Sequence, residues 1–116
     1  MKQAGSHEDL ESGRWWQLTL YEQLAHVGSE VGRAIRWRPR NERIADGALA
    51  RALDLMDLTL SDPRHRLRPG RLRELARVRE VLVDYLAGAN DYGSTAESLL
   101  RYFDVFAVAA GRSRGL

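Results

Sequence analysis

Three groups of residues have the types and spacing that chemistry needs. Glu22, His26 and Glu30 recur one helical turn apart, so a helix there would project all three from one side. Rows of this kind hold metals. A di-metal carboxylate bundle, however, needs Glu-x-x-His pairs on two helices. Here the spacing is one residue longer and no second histidine falls on a helix, so no metal or other cofactor is expected. Asp54 with Asp57, and Glu80 with Asp84, form acid pairs that could chelate magnesium for attack on a nucleotide phosphate. Arg73 and Arg77 lie close enough in the chain to neutralise them. None of His7, His26 and His65 has an arginine about one turn before it, so acid–base cleavage of RNA by an Arg–His pair is not expected, and no catalytic residue is assigned.

The third group is basic. Arg33, Arg36, Arg38, Arg40 and Arg43 gather around Trp37, and Arg64, Arg66, Arg68, Arg71 and Arg73 gather around His65. A guanidinium fork binds phosphate through two parallel hydrogen bonds, and an aromatic among bases can stack on an unpaired nucleobase. Arg36, Trp37, Arg38, Arg40, Arg64, Arg66, Arg68 and Arg71 are therefore the candidate contacts to RNA or DNA. Glu42, Asp46 and Asp62 dilute both clusters.

The totals bound the class. A chain of 116 residues is one domain with room for a core. Lysine occurs only at Lys2, so the positive charge is almost all arginine, and the net charge is +2. Absence of cysteine excludes disulfides and thiol chemistry and fits a reducing cytoplasm. No apolar run reaches the ~18 residues of a membrane span, and the opening MKQAGSHEDL has no signal-peptide character.

Helical periodicity must position these groups. Residues 1–13 read as a polar tail, 14–111 as the folded unit and 112–116 as a second tail. A first helix over 14–37 carries Trp16, Leu20, Leu24, Val27, Val31 and Ile35 on one stripe, with Gly28 and Gly32 one turn apart for a close helix crossing. A second over 42–60 starts at the cap Asn41 and buries Ala45, Leu49, Ala52, Met56 and Leu60, while Leu58 falls on its polar side. A linker over 61–70 holds two prolines. A third helix over 71–88 carries Leu72, Leu75, Val78 and Leu82, with Gly88 as its C-cap. Ser94 and Glu97 read as a capping box opening a fourth over 95–110, which Gly111 ends.

Four helices with short links predict an all-α, antiparallel up-down-up-down four-helix bundle. The two arginine clusters then lie at opposite ends. Arg79 falls inside the apolar arc of the third helix and calls for an interior carboxylate, Glu30 first and Asp57 second. The fourth helix is apolar nearly all round. Its second face, Tyr102, Val105, Val108 and Ala109, is expected to meet another copy of the chain.

HVGSEVGRAIRWR (26–38), ALDLMDLTLSDP (52–63) and LRELARVREVLVDYLAGANDYGSTAESLLRYF (72–103) together resemble a group of short uncharacterised bacterial and archaeal helical proteins. More remotely, the helix order and 82–88 before a short turn are similar to the four-helix-bundle proteins of ribosomal-RNA intervening sequences. They are also similar to the accessory variability determinants of diversity-generating retroelements. The resemblance implies a basic bundle that assembles with its own copies and binds nucleic acid, and it carries no functional residue over. The expectation is a non-enzymatic interaction or scaffold protein, homo-oligomeric and cytoplasmic, touching nucleic acid or a protein partner but no membrane. The alternative is a small metal-dependent nucleotide hydrolase built on Asp54, Asp57, Glu80 and Asp84.

Overall fold

The computed structural model describes residues 12–113, and among these the chain is all-α, with no strand. A helical turn, α1 (12–15), leads into α2 (Leu20–Trp37), α3 (Glu42–Leu60), a four-residue α4 (Pro63–Arg66), α5 (Pro69–Ala87) and α6 (Ala96–Ser113). The expected tails lie outside the described residues at 1–11 and 114–116, but 12–13 and 112–113 are helical.

The expected first helix is two pieces. Thr19 is extended (φ −70°, ψ 163°) and caps α2: its hydroxyl accepts from the Glu22 amide at 3.1 Å, and Glu22 accepts from the Thr19 amide at 2.9 Å. This Thr-x-x-Glu box satisfies two amides that a continuous helix would have bonded to the preceding turn. The chain turns at 16–18, and Trp15 rather than Trp16 enters the core, 8% exposed. Leu58 is no misfit: it and Trp16, the residue after α1, are both partly buried against the core, and Trp16 donates its indole N–H to the Leu58 carbonyl at 3.0 Å.

The core is the set the periodicity marks. Leu24, Val27 and Val31 of α2, Ala52 and Met56 of α3, Leu75, Val78 and Leu82 of α5, and Leu99 and Phe103 of α6 are all buried together. Each large side chain among them contributes about 1.5–3 kcal/mol relative to exposure. α2 packs on both α3 and α6, and α3 packs on α5. Contacts of Gln23 with Asp62, Glu30 with Arg51 and Arg38 with Asp46 run in opposite directions along α2 and α3, so that pair is antiparallel. The small strip on α2 does bring α6 close. A Cβ on Gly28 would stand 2.5 Å from Phe103 Cβ, and one on Gly32 only 3.7 Å from Leu100 Cδ2. Gly28 is the position where only glycine fits.

Two helix ends show more than the expectation held. Gly88 is the C-cap of α5 as expected, but it is extended at φ −108°, and the left-handed residue is Asn90 at φ 58°. Asp84 supplies the stop: its carbonyl accepts from the Gly88 and Asn90 amides, and its carboxylate accepts from Asp91 at 2.7 Å and Tyr92 at 3.0 Å. α6 is capped one residue later than the expected Ser94 box, by reciprocal bonds of Thr95 and Ser98 at 3.0 Å each, and it runs past Gly111.

Candidate functional site

The linker between α3 and α5 builds the most organised polar site in the molecule. Asp62 precedes Pro63, which begins α4, and its carboxylate accepts from the Arg64 amide at 2.9 Å. Proline tolerates the first helical position because its missing N–H would have had no acceptor there. This single turn drives His65 inward, to 1% exposure, beside Asp62 at 0%. Gln23 of α2, also 0% exposed, reaches both: its amide donates to Trp15 O and to Asp62 Oδ2, each at 3.0 Å. Its oxygen meets His65 Nε2 at 2.8 Å. Arg71 Nη1 donates to His65 Nδ1 at 3.3 Å. Because Nδ1 accepts, Nε2 carries the proton and donates to Gln23, so the ring is neutral with both nitrogens satisfied. Nearby, Trp15 donates to Thr59 Oγ1 at 2.9 Å, and Thr59 donates to Leu55 O at 2.7 Å.

The charges agree with this arrangement. Burial alone would raise the Asp62 carboxyl, but hydrogen bonds from Arg64 and Gln23 prevail and hold it at about 2. Burial pushes His65 below its ordinary value; Asp62 pulls the other way, and Arg71 and Arg64 add to the depression. Arg64 donates to Asp62 Oδ2 at 2.6 Å and to Leu18 O at 2.7 Å, tying the segment before α2 to α4. On the outer side of this network is a cleft of about 380 Å³ lined by Thr19, Leu20, Tyr21, Arg64, His65 and Arg71.

The other basic end is loosely built. Arg38 pairs with Asp46 at 2.7 Å, with the aspartate 67% exposed. Arg36 and Arg40 are exposed, Trp37 is half-buried, and no ion pair among the described residues holds Arg36, Arg40 or Arg43. At the first end Arg66 makes only a 3.5 Å contact to Leu60 O, and Arg68 is exposed at the start of α5 with no side-chain cap. Thus the sequence-chosen arginines divide between two ends, as expected, but they are not equivalent.

The interior pair of Arg79 with Glu30 does not form. Arg79 donates to Asp57 at 2.7 Å, with side chains 36% and 56% exposed, while Glu30 lies 3.3 Å from Arg51 and 4.0 Å from Arg33. The aliphatic stem of Arg79 covers the edge of the apolar arc and its head reaches water, which the angular position alone does not reveal. The four carboxylates of the hydrolase alternative stay in two pairs: Asp54 and Asp57 line one cleft with Glu30 and Arg51, and Glu80 and Asp84 both meet Tyr92. Asp57 holds Arg79, Asp84 holds the 88–92 turn, and Glu80 accepts from the Tyr92 hydroxyl at 3.4 Å. Among the described residues no group of three or more ligating side chains gathers. His26 meets the Trp15 ring at 5.7 Å with the two planes tilted by 53°.

On α6, Tyr102 is half-buried and donates to Glu74 at 3.1 Å; burial, then the Glu74 charge, raises its pKa. Val105 and Val108 are 61% and 55% exposed, and Ala109 is half-buried. No helix among the described residues is long and apolar enough to cross a membrane.

Sequence reasoning passed over Gln23, Thr59 and Asp62. Two signals carry them: Asp-Pro marks a helix start, and Thr19-x-x-Glu22 marks a break before Gln23. No family model matches the chain, and neither the curated proteins nor the solved structures contain a match to it.

Proposed function

We propose that the protein is a non-enzymatic interaction subunit: a bundle of four long helices, α2, α3, α5 and α6, in up-down-up-down order, that self-associates through the outer face of α6. The observation that carries this is the exposure of Val105 and Val108 at the middle of a long helix. At 100° per residue, Glu97, Arg101, Val105, Val108 and Arg112 share that outer arc. Two such faces are self-complementary when they cross antiparallel between residues 104 and 105. Arg112 then lies opposite Glu97 of the second copy, and Val108 opposite the aliphatic stem of its Arg101. Arg36, Arg40 and Arg43, at the end where no ion pair among the described residues holds them, supply the contacts to nucleic acid. The separate employment of Asp57, Glu80 and Asp84 favours this over the hydrolase reading.

Size exclusion with light scattering tests the pairing. A dimer or higher oligomer is expected at micromolar concentration, and Val108→Arg should convert it to monomer without lowering the melting temperature. A monomeric parent chain sinks the proposal. For nucleic acid, retention of single-stranded RNA on filters should fall steeply with salt. A flat salt response removes that clause.

A further inference from the structure

We propose that the cleft between the start of α2 and the α4–α5 junction binds a nucleoside monophosphate, with the phosphate on Arg71 and Arg64 and the base against Tyr21. The inference stands apart from the α6 interface and from the arginines of the opposite end. Its first support is Arg71. This guanidinium carries five N–H donors. One is directed at His65 Nδ1, and among the described residues no carboxylate pairs with the rest. The His65 bond fixes the guanidinium, so less side-chain freedom is lost when an anion arrives. Arg64 is fixed as well, through Asp62 and Leu18 O, and its Nη1 has no partner among the described residues.

The second support is shape and surface. The volume of about 380 Å³ suits a small molecule, and the cleft wall joins these cations to Tyr21, which is 44% exposed, its ring centroid 6.1 Å from that of Phe106. A phosphate alone would leave that ring unused, whereas a nucleobase can stack on it. Leu20 and Tyr21 are also the first residues of α2, where backbone N–H groups lack helical acceptors; of these amides, among the described residues, Glu22's is the one taken, by Thr19 Oγ1. Of the acids nearby among the described residues, Asp62 is 0% exposed beneath Gln23 and Arg64, and Glu22 turns one carboxylate oxygen to the Thr19 amide.

Isothermal titration of the whole chain with uridine 5′-monophosphate, inorganic phosphate and uridine tests this. The nucleotide should bind more tightly than phosphate, and uridine weakest of all. Arg71→Gln should weaken the nucleotide about ten- to hundredfold, as loss of a charged hydrogen bond implies. Tyr21→Ala, at an exposed ring, should reduce the nucleotide to the affinity of phosphate, and Arg40→Gln at the opposite end should change nothing. Absence of heat with both nucleotide and phosphate up to about 10 mM overturns the proposal. So does undiminished binding by Arg71→Gln with a parental melting temperature. Equal affinities for nucleotide and phosphate overturn the role of Tyr21.

Discussion

The two ends of the molecule carry similar numbers of arginines and use them differently. Where α2 meets α3, Arg36, Arg38, Arg40 and Arg43 stand on helix ends in water, with one exposed pair to Asp46. Where α2 starts beside α4, Arg64 and Arg71 are anchored by a buried set, Gln23, Asp62 and His65, whose polar atoms all have partners. The difference is one proline-initiated turn. Pro63 lets α4 fold back so that Asp62 and His65 point inward, while Pro39 in the 38–40 turn begins no helical turn. Arginine content therefore does not define a site; what fixes the guanidinium does. Loose cations suit a long polyanion at any register, and fixed ones suit a single small anion.

The sharpest way to break this contrast is to remove one carboxylate from each end. Asp62→Ala strands Gln23, Arg64 and the α4 cap together. Breaking a buried pair costs about 3–5 kcal/mol, and Arg64, 47% exposed, can rehydrate, so the lower part of that range is expected. Asp46→Ala removes an exposed pair worth about 0.2–1 kcal/mol. Urea denaturation of both variants measures the gap. Equal midpoints would mean the two ends are built alike.

Acid should single out the same end. Asp62 has a folded pKa depressed from 3.8 to about 2, so its stabilisation is complete above the unfolded value and disappears as pH falls through the folded one. The shift corresponds to about 2 kcal/mol, lost between pH ~4 and ~2. His65 is also depressed, so its neutral form adds stability that begins to fall below its unfolded pKa of 6.5. Both effects have the same sign, and unfolding free energy should decline on acidification from pH 7. The decline should begin with the histidine and deepen with the aspartate. A stability unchanged between pH 7 and 5 would contradict a buried neutral His65.

A smaller effect refines the boundary of the network. Trp15→Phe keeps the ring bulk but deletes the donor to Thr59, whose hydroxyl still bonds Leu55 O. A loss of about 1 kcal/mol is expected. Trp37→Phe, half-buried with no indole hydrogen bond among the described residues, should cost less.

How much of this was legible in the chain follows from the range of each interaction. Leu24, Val27, Val31, Leu75, Leu82 and Phe103 repeat at helical spacing, so their common burial could be read from order alone. Gly28 announced a close crossing, and the Phe103 side chain of α6 stands where its Cβ would be. The break at 16–19 stayed hidden because Trp16 and Leu20 continue the stripe across it, and the Thr19–Glu22 box was read as helix interior. The Gln23–Asp62–His65 set joins residues about forty positions apart, through rotamers that no local pattern records. The same limit misplaced Arg79: angle around a helix was visible, but the length of the side chain that carries its charge outward was not.

Arg79 supplies the last and smallest test, because it lies between the two ends and belongs to neither. Its bond to Asp57 at 2.7 Å is short, but both side chains are substantially exposed. An exposed pair is worth about 0.2–1 kcal/mol, and the stem covering the α5 edge adds a little packing. Arg77, one turn's edge away, rests 5.7 Å from the Tyr92 ring centroid and gains about 0.5–1 kcal/mol as an exposed cation over an aromatic. Arg79→Ala and Arg77→Ala should therefore melt within a few degrees of each other. If Arg79→Ala instead matched the cost of Asp62→Ala, its guanidinium would have to be interior, and a third anchored arginine would exist, outside the α4 network.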